Sequence, residues 1–261
     1  MELNHFRAGS GEPLLLIHGI GSQWQVWEPV LNLLTPHRDV IAIDLPGFGA
    51  TPRPLAGIPA GPDSLVSLVG QYLDDIGVGR PHVAGNSLGG LISLELAKRK
   101  LVRSATALSP AGFANRRETF TARAQLRLAV RGARLAAPRA DALLRSKFGR
   151  AVALNLFFAH PTRVSPTQAA DGVRALAGAP WFDSTLPTVG PRAFQANGRM
   201  DVPVTIAWGE HDRVLPPRQA DRAARMLPAA RMVTLHGCGH VPTYDDPEQV
   251  AQILLEGSSP T

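Results

Sequence analysis

The stretch that decides the fold runs from His82 to Ala97 and reads HVAGNSLGGLISLELA. Its first five residues form a short apolar run typical of a buried strand, and the part from Ser87 to Arg99 has a helical pattern. Ser87 stands at the corner between the two, inside the pattern Gly-x-Ser-x-Gly. A serine on such a strand–turn–helix corner is held in a strained backbone conformation, with its hydroxyl above the sheet. The stretch therefore predicts a nucleophile at Ser87.

Similar apolar runs recur on both sides of this corner, with helical patterns between them. The predicted strands cover 14–18, 40–44, 82–86, 105–109, 202–208 and 231–236, with an antiparallel edge strand within 2–7. The predicted helices cover 24–34, 64–76, 87–99, 217–226 and 247–255. This alternation indicates the α/β class, with a mostly parallel, doubly wound sheet that carries helices on both faces.

One interval, from Pro110 to about Pro191, carries helical patterns instead of strands. Its clearest helix reads SPTQAADGVRALAG, with Ser165 as N-cap, a proline at the first helical position, Gln168 completing a capping box, and Gly178 as the stop. We therefore predict a core domain of residues 1–110 and 192–261, interrupted by a helical cap at 111–191. Long insertions at the carboxyl ends of strands commonly cover active sites.

Charge is distributed unevenly along the 261 residues, whose net charge is +6. Residues 113–165 hold eleven basic and two acidic side chains, a net charge of +9, which leaves −3 for the rest of the chain. The basic residues are not interleaved with aromatic ones in a known nucleic-acid-binding module, so we expect no nucleic-acid partner. The single cysteine excludes an intrachain disulfide, and no apolar run reaches membrane-spanning length. These features predict a soluble, cytoplasmic protein.

A nucleophilic serine needs a base, and that base needs a carboxylate to orient it. The chain supplies both after its last two predicted strands: Asp212 follows in GEHDRVLP, and His240 follows in GCGHVP. Glu210 is an alternative acid, but it lies nearer the end of its strand, so we favour Asp212. His18 and Asp44 are interpreted as structural residues.

A metal site is the competing interpretation of one part of this region. His236, Cys238 and His240 form the pattern His-x-Cys-x-His, which could bind a metal ion. The intervening glycines indicate a loop, no fourth ligand is evident, and His240 already has a role as the base. We therefore expect neither a metal nor a cofactor.

Five segments together resemble the α/β-hydrolases that carry a helical cap, over nearly the whole chain: LLLIHGIG, DLPGFG, GNSLGG, GEHDRVLP and GCGHVP. The order Ser87, Asp212, His240 is that of this fold. The resemblance implies an oxyanion hole built from the backbone N–H groups of Ile20 and Leu88, and a small-molecule acyl substrate. Epoxide hydrolases and haloalkane dehalogenases of the fold use a carboxylate nucleophile, so the serine argues against both.

Three functions remain open at this stage. The first is a hydrolase of carboxylic esters or related acyl bonds, such as thioesters. The second is a carbon–carbon bond hydrolase of ring-cleavage products, since GNSLGG is similar to the elbow of that group. This chain departs from the group because it lacks Gly-Pro-Gly after His18-Gly19 and has Val241 where those enzymes have tryptophan. The third is a ligand-binding member of the fold that performs little chemistry.

Five aromatic residues are candidates for lining a substrate pocket beneath the cap: Trp24, Phe157, Phe158, Trp181 and Phe182. The alternative for each is that it packs the cap onto the core domain.

The basic residues of the cap form a pattern of their own. Arg123, Arg127, Arg131 and Arg134 recur at spacings of four, four and three, so they share one helix face. Such a charged stripe is usually solvated. The alternative is that this face makes weak contact with an anionic membrane surface while the apolar side of the helix covers the site.

Overall fold

The computed structural model describes residues 2–191, 193–196 and 200–259. Within them, one sheet contains seven strands in the order β1-β3-β2-β4-β5-β6-β7. The strands are β1 His5–Gly9, β2 Pro13–Ile17, β3 Asp39–Ile43, β4 His82–Asn86, β5 Ser104–Leu108, β6 Val204–Gly209 and β7 Arg231–Leu235. The pair β1–β3 is antiparallel and the remaining pairs are parallel. The predicted α/β class with a mostly parallel sheet is confirmed.

Helices connect the strands and build the interval between β5 and β6. Their bounds are α1 Glu28–Leu34, α2 Pro62–Asp75, α3 Leu88–Lys98, α4 Arg116–Ala136, α5 Ala140–Arg145, α6 Lys147–Leu154, α7 Pro166–Gly178, α8 Phe182–Thr185, α9 Arg218–Met226 and α10 Pro247–Gly257. The predicted first helix is divided, because Trp24–Trp27 forms a 3₁₀ turn ahead of α1. Helices α4 to α8 lie within the interval for which helices were expected.

The central strands are buried on both faces. In β2, Leu15 and Ile17 belong to one hydrophobic cluster together with α2 and α3, whereas Leu14 and Leu16 belong to a second cluster with α1 and α10. Alternate side chains of a strand point to opposite faces, so a strand that is apolar throughout needs helices on both sides. The continuous apolar runs in the sequence have this origin.

The edge strand begins three residues later than expected. At Asn4, the backbone N–H donates to Thr51 Oγ1 at 2.9 Å and the side-chain Nδ2 donates to Asp44 Oδ2 at 2.7 Å. Asn4 O still accepts from the Asp44 N–H at 2.8 Å, but the Asn4 N–H is turned to Thr51, so the regular pairing with β3 begins at His5.

The helical interval has a small hydrophobic core of its own, formed mainly by α4, α5 and α7. Helix α4 begins with a capping box in which Asn115 and Glu118 bond reciprocally. Helix α7 begins where predicted, with the Ser165 hydroxyl accepting from the Gln168 N–H. The Gln168 side chain does not close the expected box, because its Oε1 accepts from the Ser165 hydroxyl at 2.8 Å and not from the Ser165 N–H.

The sheet order reverses at β2, which lies between β3 and β4. Ligand sites in open α/β sheets form at such a reversal, beyond the carboxyl ends of the strands. The parallel register pairs Ile17 with Gly85, so the segment after β2 and the segment after β4 emerge side by side. This arrangement brings His18-Gly19 next to Ser87.

Candidate active site

Ser87 occupies a strained corner between β4 and α3. Its φ of 57° and ψ of −112° lie in a region that side chains rarely adopt. The corner is possible because its neighbours are small: a Cβ on Gly85 would collide with the backbone oxygen of Gly89, and one on Gly89 would collide with that of Ile17. The Ser87 N–H donates to Leu108 O at 2.9 Å, which holds the corner on β5.

Asp212 and His240 form a buried, directional pair. The imidazole Nδ1 lies 2.7 Å from Asp212 Oδ2. The other carboxylate oxygen accepts from the N–H groups of Val214 and Leu215, at 2.9 and 2.7 Å. Because a carboxylate only accepts, Nδ1 donates, and Nε2 is then the ring nitrogen that accepts a proton. The pair has the geometry of a base and its orienting acid.

Ser87 and His240 line the same cavity. In the part of the chain that the structure describes, no hydrogen bond joins the Ser87 hydroxyl to the His240 ring. Bonds between a nucleophile and its base are often long until a substrate draws the groups together. Because both residues line one cavity, Ser87 remains the candidate nucleophile for the Asp212–His240 pair.

Glu210, the alternative acid, lies apart from the His240 ring. Its carboxylate accepts from the Gly237 N–H at 3.0 Å and approaches His236 at 3.6 Å. The hydrogen bond from Gly237, together with the nearby histidines, lowers the pKa of Glu210. The geometry separates the two acids and supports Asp212 as the orienting carboxylate.

Two backbone N–H groups near Ser87 are available to hold an oxyanion. Leu88 is the first residue of α3, where an N–H has no acceptor within the helix. Ile20 follows Gly19, and a Cβ placed on Gly19 would lie 3.3 Å from the Cβ of Ser87. Across the described ranges, neither N–H donates to another protein group. Both residues border the cavity system at Ser87.

His18 supports this loop rather than acting as a base. Its Nδ1 bonds to Gly19 O at 2.7 Å, and its Nε2 accepts from the Leu45 N–H at 2.9 Å. Complete burial lowers the pKa of His18, partly opposed by the charge of Asp44, so the ring is neutral. Both ring nitrogens are therefore committed to holding backbone.

The cavity at Ser87 has a volume of about 640 Å³. Helix α4 contributes Leu126, Ala129 and Ala133, and the chain after α6 contributes the predicted residues Phe157 and Phe158. Most lining side chains are apolar, as is usual for pockets that hold small organic molecules.

Three of the predicted pocket residues lie elsewhere. Trp24 stacks on Phe6 at 5.3 Å between ring centroids and packs with the cluster on the α1 side of the sheet. Trp181 packs on Gly47, and Phe182 is fully buried in the cluster on the α3 side. Trp181 and Phe182 thus pack the helical interval between β5 and β6 against the rest of the chain, which is the alternative interpretation given to them.

Asn86 is a supporting residue that the sequence analysis missed. Its side-chain Nδ2 donates to Leu108 O at 3.1 Å and to His240 O at 2.8 Å. The amide therefore links the corner at Ser87 to the backbone of His240. Its place beside Ser87 in the elbow pattern was the only available signal.

Asp245 is the second missed residue. Oδ1 accepts from the His160 N–H at 2.7 Å, while Oδ2 accepts from the N–H groups of Ala159 and Gly239 at 2.9 and 2.8 Å. This fully buried carboxylate ties the loop that carries His240 to the segment following α6. No local pattern in the sequence marks it.

The His-x-Cys-x-His segment does not gather its side chains around one point. His236 is exposed beside Glu210, His240 bonds to Asp212, and Cys238 is buried. Burial raises the pKa of the Cys238 thiol to about 12. Among the residues described, no group of three or more His, Cys, Asp or Glu side chains is arranged to bind a metal ion.

The predicted arginine stripe on α4 is divided. Arg127 and Arg131 are exposed, whereas Arg134 pairs with Asp183 at 2.7 Å. Arg123 turns toward the 3₁₀ turn that follows α8, where its Nη2 donates to Pro187 O at 2.5 Å. The expectation that all four share a solvated face is therefore wrong for Arg123. None of the described helices is long and apolar enough to cross a membrane.

Comparison with known proteins gives one consistent result. The model of the alpha/beta hydrolase family matches residues 14–253. A 2-hydroxy-6-oxo-2,4-heptadienoate hydrolase of Pseudomonas putida is 41% identical over 102 residues, which are 38% of this chain and 37% of that protein. An epoxide hydrolase of Mycobacterium tuberculosis is 32% identical over 201 residues, which are 73% of this chain and 91% of that protein. The crystal structure of a bacterial membrane phospholipase A is similar with a TM-score of 0.75 and 26% identity, covering 98% of this chain and 83% of that one.

Proposed function

Since the chain belongs to the alpha/beta hydrolase family, we propose that it hydrolyses carboxylic esters of small molecules through an acyl-enzyme on Ser87. The observation that carries the proposal is a convergence at one place. A serine in a strained corner and an imidazole hydrogen-bonded to a buried carboxylate open into the same apolar cavity of about 640 Å³.

The geometry supports the following steps. His240 Nε2 takes the proton of Ser87 Oγ as that oxygen attacks the ester carbonyl, and Asp212 stabilises the imidazolium. The N–H groups of Ile20 and Leu88 hold the oxyanion. The tetrahedral intermediate collapses, the carbon–oxygen bond to the leaving alcohol breaks, and His240 returns the proton to it. Water then attacks the acyl-enzyme by the same route and releases the acid.

A panel of p-nitrophenyl esters with increasing chain length tests the proposal. We expect turnover by the native chain and loss of turnover in Ser87→Ala, with unchanged circular dichroism. Ser22→Ala is the matched control, since Ser22 also lines the cavity but lies outside the corner. A fluorophosphonate should add once, on Ser87, by intact mass. Adduct formation that persists in Ser87→Ala would place the nucleophile elsewhere.

Carbon–carbon bond hydrolysis is the second candidate. The name of the 41% identical relative, a heptadienoate hydrolase, favours it, although the matched stretch spans 37% of that protein. A ring-cleavage dienoate belongs in the same panel, followed by its ultraviolet absorbance. Faster turnover of the dienoate than of every ester would select this candidate. Binding of substrates with no Ser87-dependent turnover would favour the third function, a ligand-binding member of the family.

Epoxide hydrolysis is not proposed, despite the 32% identical relative with that name. Opening an epoxide through a covalent ester needs a carboxylate nucleophile, and this chain has a serine at the corner.

A further inference from the structure

A second, smaller recess of about 50 Å³ lies beside Ser87. Ile20, Ser87 and Leu126 border both this recess and the large cavity. The remaining walls come from Leu88, from the segment after β5, from the first half of α4, from the chain at 186–190, and from Val214 and Leu215. Ser87 therefore stands at a junction, with a large apolar space on one side and a small space on the other.

The small recess carries polar groups that the protein leaves unsatisfied. Thr119 is 6% exposed, and its hydroxyl is buried without a hydrogen-bond partner in the described ranges. Arg123 Nε is likewise buried and unpartnered there. Both residues line the recess. Buried donors without partners cost free energy, so their presence next to a nucleophile calls for a ligand that satisfies them.

Hydrogen bonds from Nη2 hold the guanidinium of Arg123 in place. Nη2 donates to Pro187 O at 2.5 Å and to Val189 O at 3.2 Å. Both acceptors are neutral carbonyls, so these bonds orient the group without neutralising its charge. The backbone carbonyls of residues 187–189 thus position the charged Arg123 side chain at the recess.

The nearest acidic residue in sequence, Glu118, is already committed. Its carboxylate pairs with Arg218 at 2.6 Å and with Arg222, and it completes the capping box of α4. These partners hold the pKa of Glu118 below its usual value against the effect of burial. No carboxylate among the described residues forms an ion pair with Arg123. A partly buried positive charge without a counter-ion is suited to an anionic ligand.

We propose that this recess binds a short anionic arm of the substrate, a carboxylate held by Arg123 and Thr119, while the apolar arm occupies the large cavity. The inference rests on the proposed function and narrows its substrate class to esters that carry a carboxylate a few atoms from the scissile carbonyl. The carboxylate can belong to the acyl part or to the alcohol part, because both flank the carbonyl carbon attacked by Ser87.

Two pairs of esters test the inference and distinguish the two positions. Monohexyl succinate carries the carboxylate on its acyl part, and methyl hexyl succinate is its neutral partner. Carboxymethyl hexanoate carries it on the alcohol part, and the methyl ester of that carboxylate is the neutral partner. Release of hexanol or hexanoate gives kcat/KM. We expect one anionic ester to exceed its neutral partner by roughly 10- to 100-fold, as for loss of a charged hydrogen bond.

Four variants assign the preference to the recess. Arg123→Gln should abolish it and Thr119→Val should reduce it, mainly through KM, whereas Arg127→Gln on the exposed side of α4 should leave it unchanged. Arg123→Lys, which keeps the charge, should restore part of it. The preference should persist at high salt, because partly buried charge pairs are screened much less than exposed ones. Calorimetric binding of monohexyl succinate and carboxymethyl hexanoate to Ser87→Ala gives a readout free of turnover.

The outcomes separate the two proposals. Equal kcat/KM within each ester pair, or an equal loss of preference in Arg127→Gln, would overturn the recess while leaving Ser87-dependent ester hydrolysis intact. Arg123-dependent binding of the anionic esters without turnover of any ester would overturn the proposed function and keep the recess.

Discussion

Replacing Asp245 by asparagine should lower both the thermal stability of the protein and its kcat. The carboxylate accepts three hydrogen bonds, from the N–H groups of Ala159, His160 and Gly239. Asparagine keeps one oxygen, so it preserves two of these bonds at most and turns its NH₂ group toward the third N–H. The backbone of Gly239 directly precedes His240, so a shift there moves the base.

The magnitude follows from the number and type of these bonds. One lost hydrogen bond to a charged group and two that become neutral should cost about 3–5 kcal/mol in total. For a chain of this length, that corresponds to a fall in Tm of roughly 6–20 °C. Asp245→Ala, which removes all three acceptors, should lose at least as much.

Thermal unfolding followed by circular dichroism, and kcat measured well below the Tm, provide the assay. Asp246→Asn is the matched control: Asp246 caps α10 through the Gln249 N–H, and asparagine caps helices equally well, so its cost should stay below about 1 kcal/mol. If Asp245→Asn unfolds at the same temperature as Asp246→Asn and keeps full kcat, the view that Asp245 ties the loop of His240 to the segment after α6 is refuted.

Three further predictions follow from the described contacts. Asp212→Asn should lower kcat by a factor on the order of 10⁴ because the amide favours the wrong imidazole tautomer, whereas Glu210→Gln should change kcat little, and comparable losses would leave the acid unassigned. Burial lowers the pKa of His18 and of His82, so the unfolded chain binds protons before the folded chain does as the pH falls below the ordinary histidine value of 6.5. The free energy of unfolding, measured in urea, should therefore decrease between pH 6.5 and about pH 5, and an increase would contradict the burial argument. Leu128 and Leu135 are exposed beside Arg127 and Arg131, so the protein should sediment with anionic liposomes in a salt-sensitive way, and the double variant Leu128→Glu/Leu135→Glu should sediment less. Sedimentation that does not depend on lipid charge would refute this contact.

Local pattern predicted the parts of the fold that depend on local physics. Five of the six parallel strands were placed to within one residue at each end. Four of them, β2 to β5, are buried on both faces and must therefore be apolar throughout, whereas β7 is a partly exposed edge strand. Val204 begins β6 later than expected, since Pro203 has no N–H to donate to a ladder. The corner at Ser87 was likewise visible, since its glycines are required by close backbone contacts.

Contacts between distant segments explain what the sequence left out. The hydrogen bond of Asn86 to the His240 backbone spans 154 positions, and those of Asp245 reach back 85 and 86 positions to the segment after α6. No spacing rule relates such residues. The aromatic candidates show the same limit. Their apolar character favours burial, but the packing of the helical interval decides which space each ring enters: Phe157 lines the cavity, whereas Phe182 lies in the hydrophobic core.

The arginines of α4 share one helix face, as their spacing predicts, but contacts with a later segment of the chain change the environment of two of them. A period of 3.6 places Arg123, Arg127, Arg131 and Arg134 on one side of the helix. The chain then comes back along that side: Asp183 pairs with Arg134, and the carbonyl of Pro187, 64 positions after Arg123, accepts from its guanidinium. The two ends of the stripe thereby hold the cap together, and its middle stays exposed. A change at Arg134 should therefore affect the packing of the helical interval, and a change at Arg123 should also affect the recess, while a change in the middle of the stripe affects only the surface.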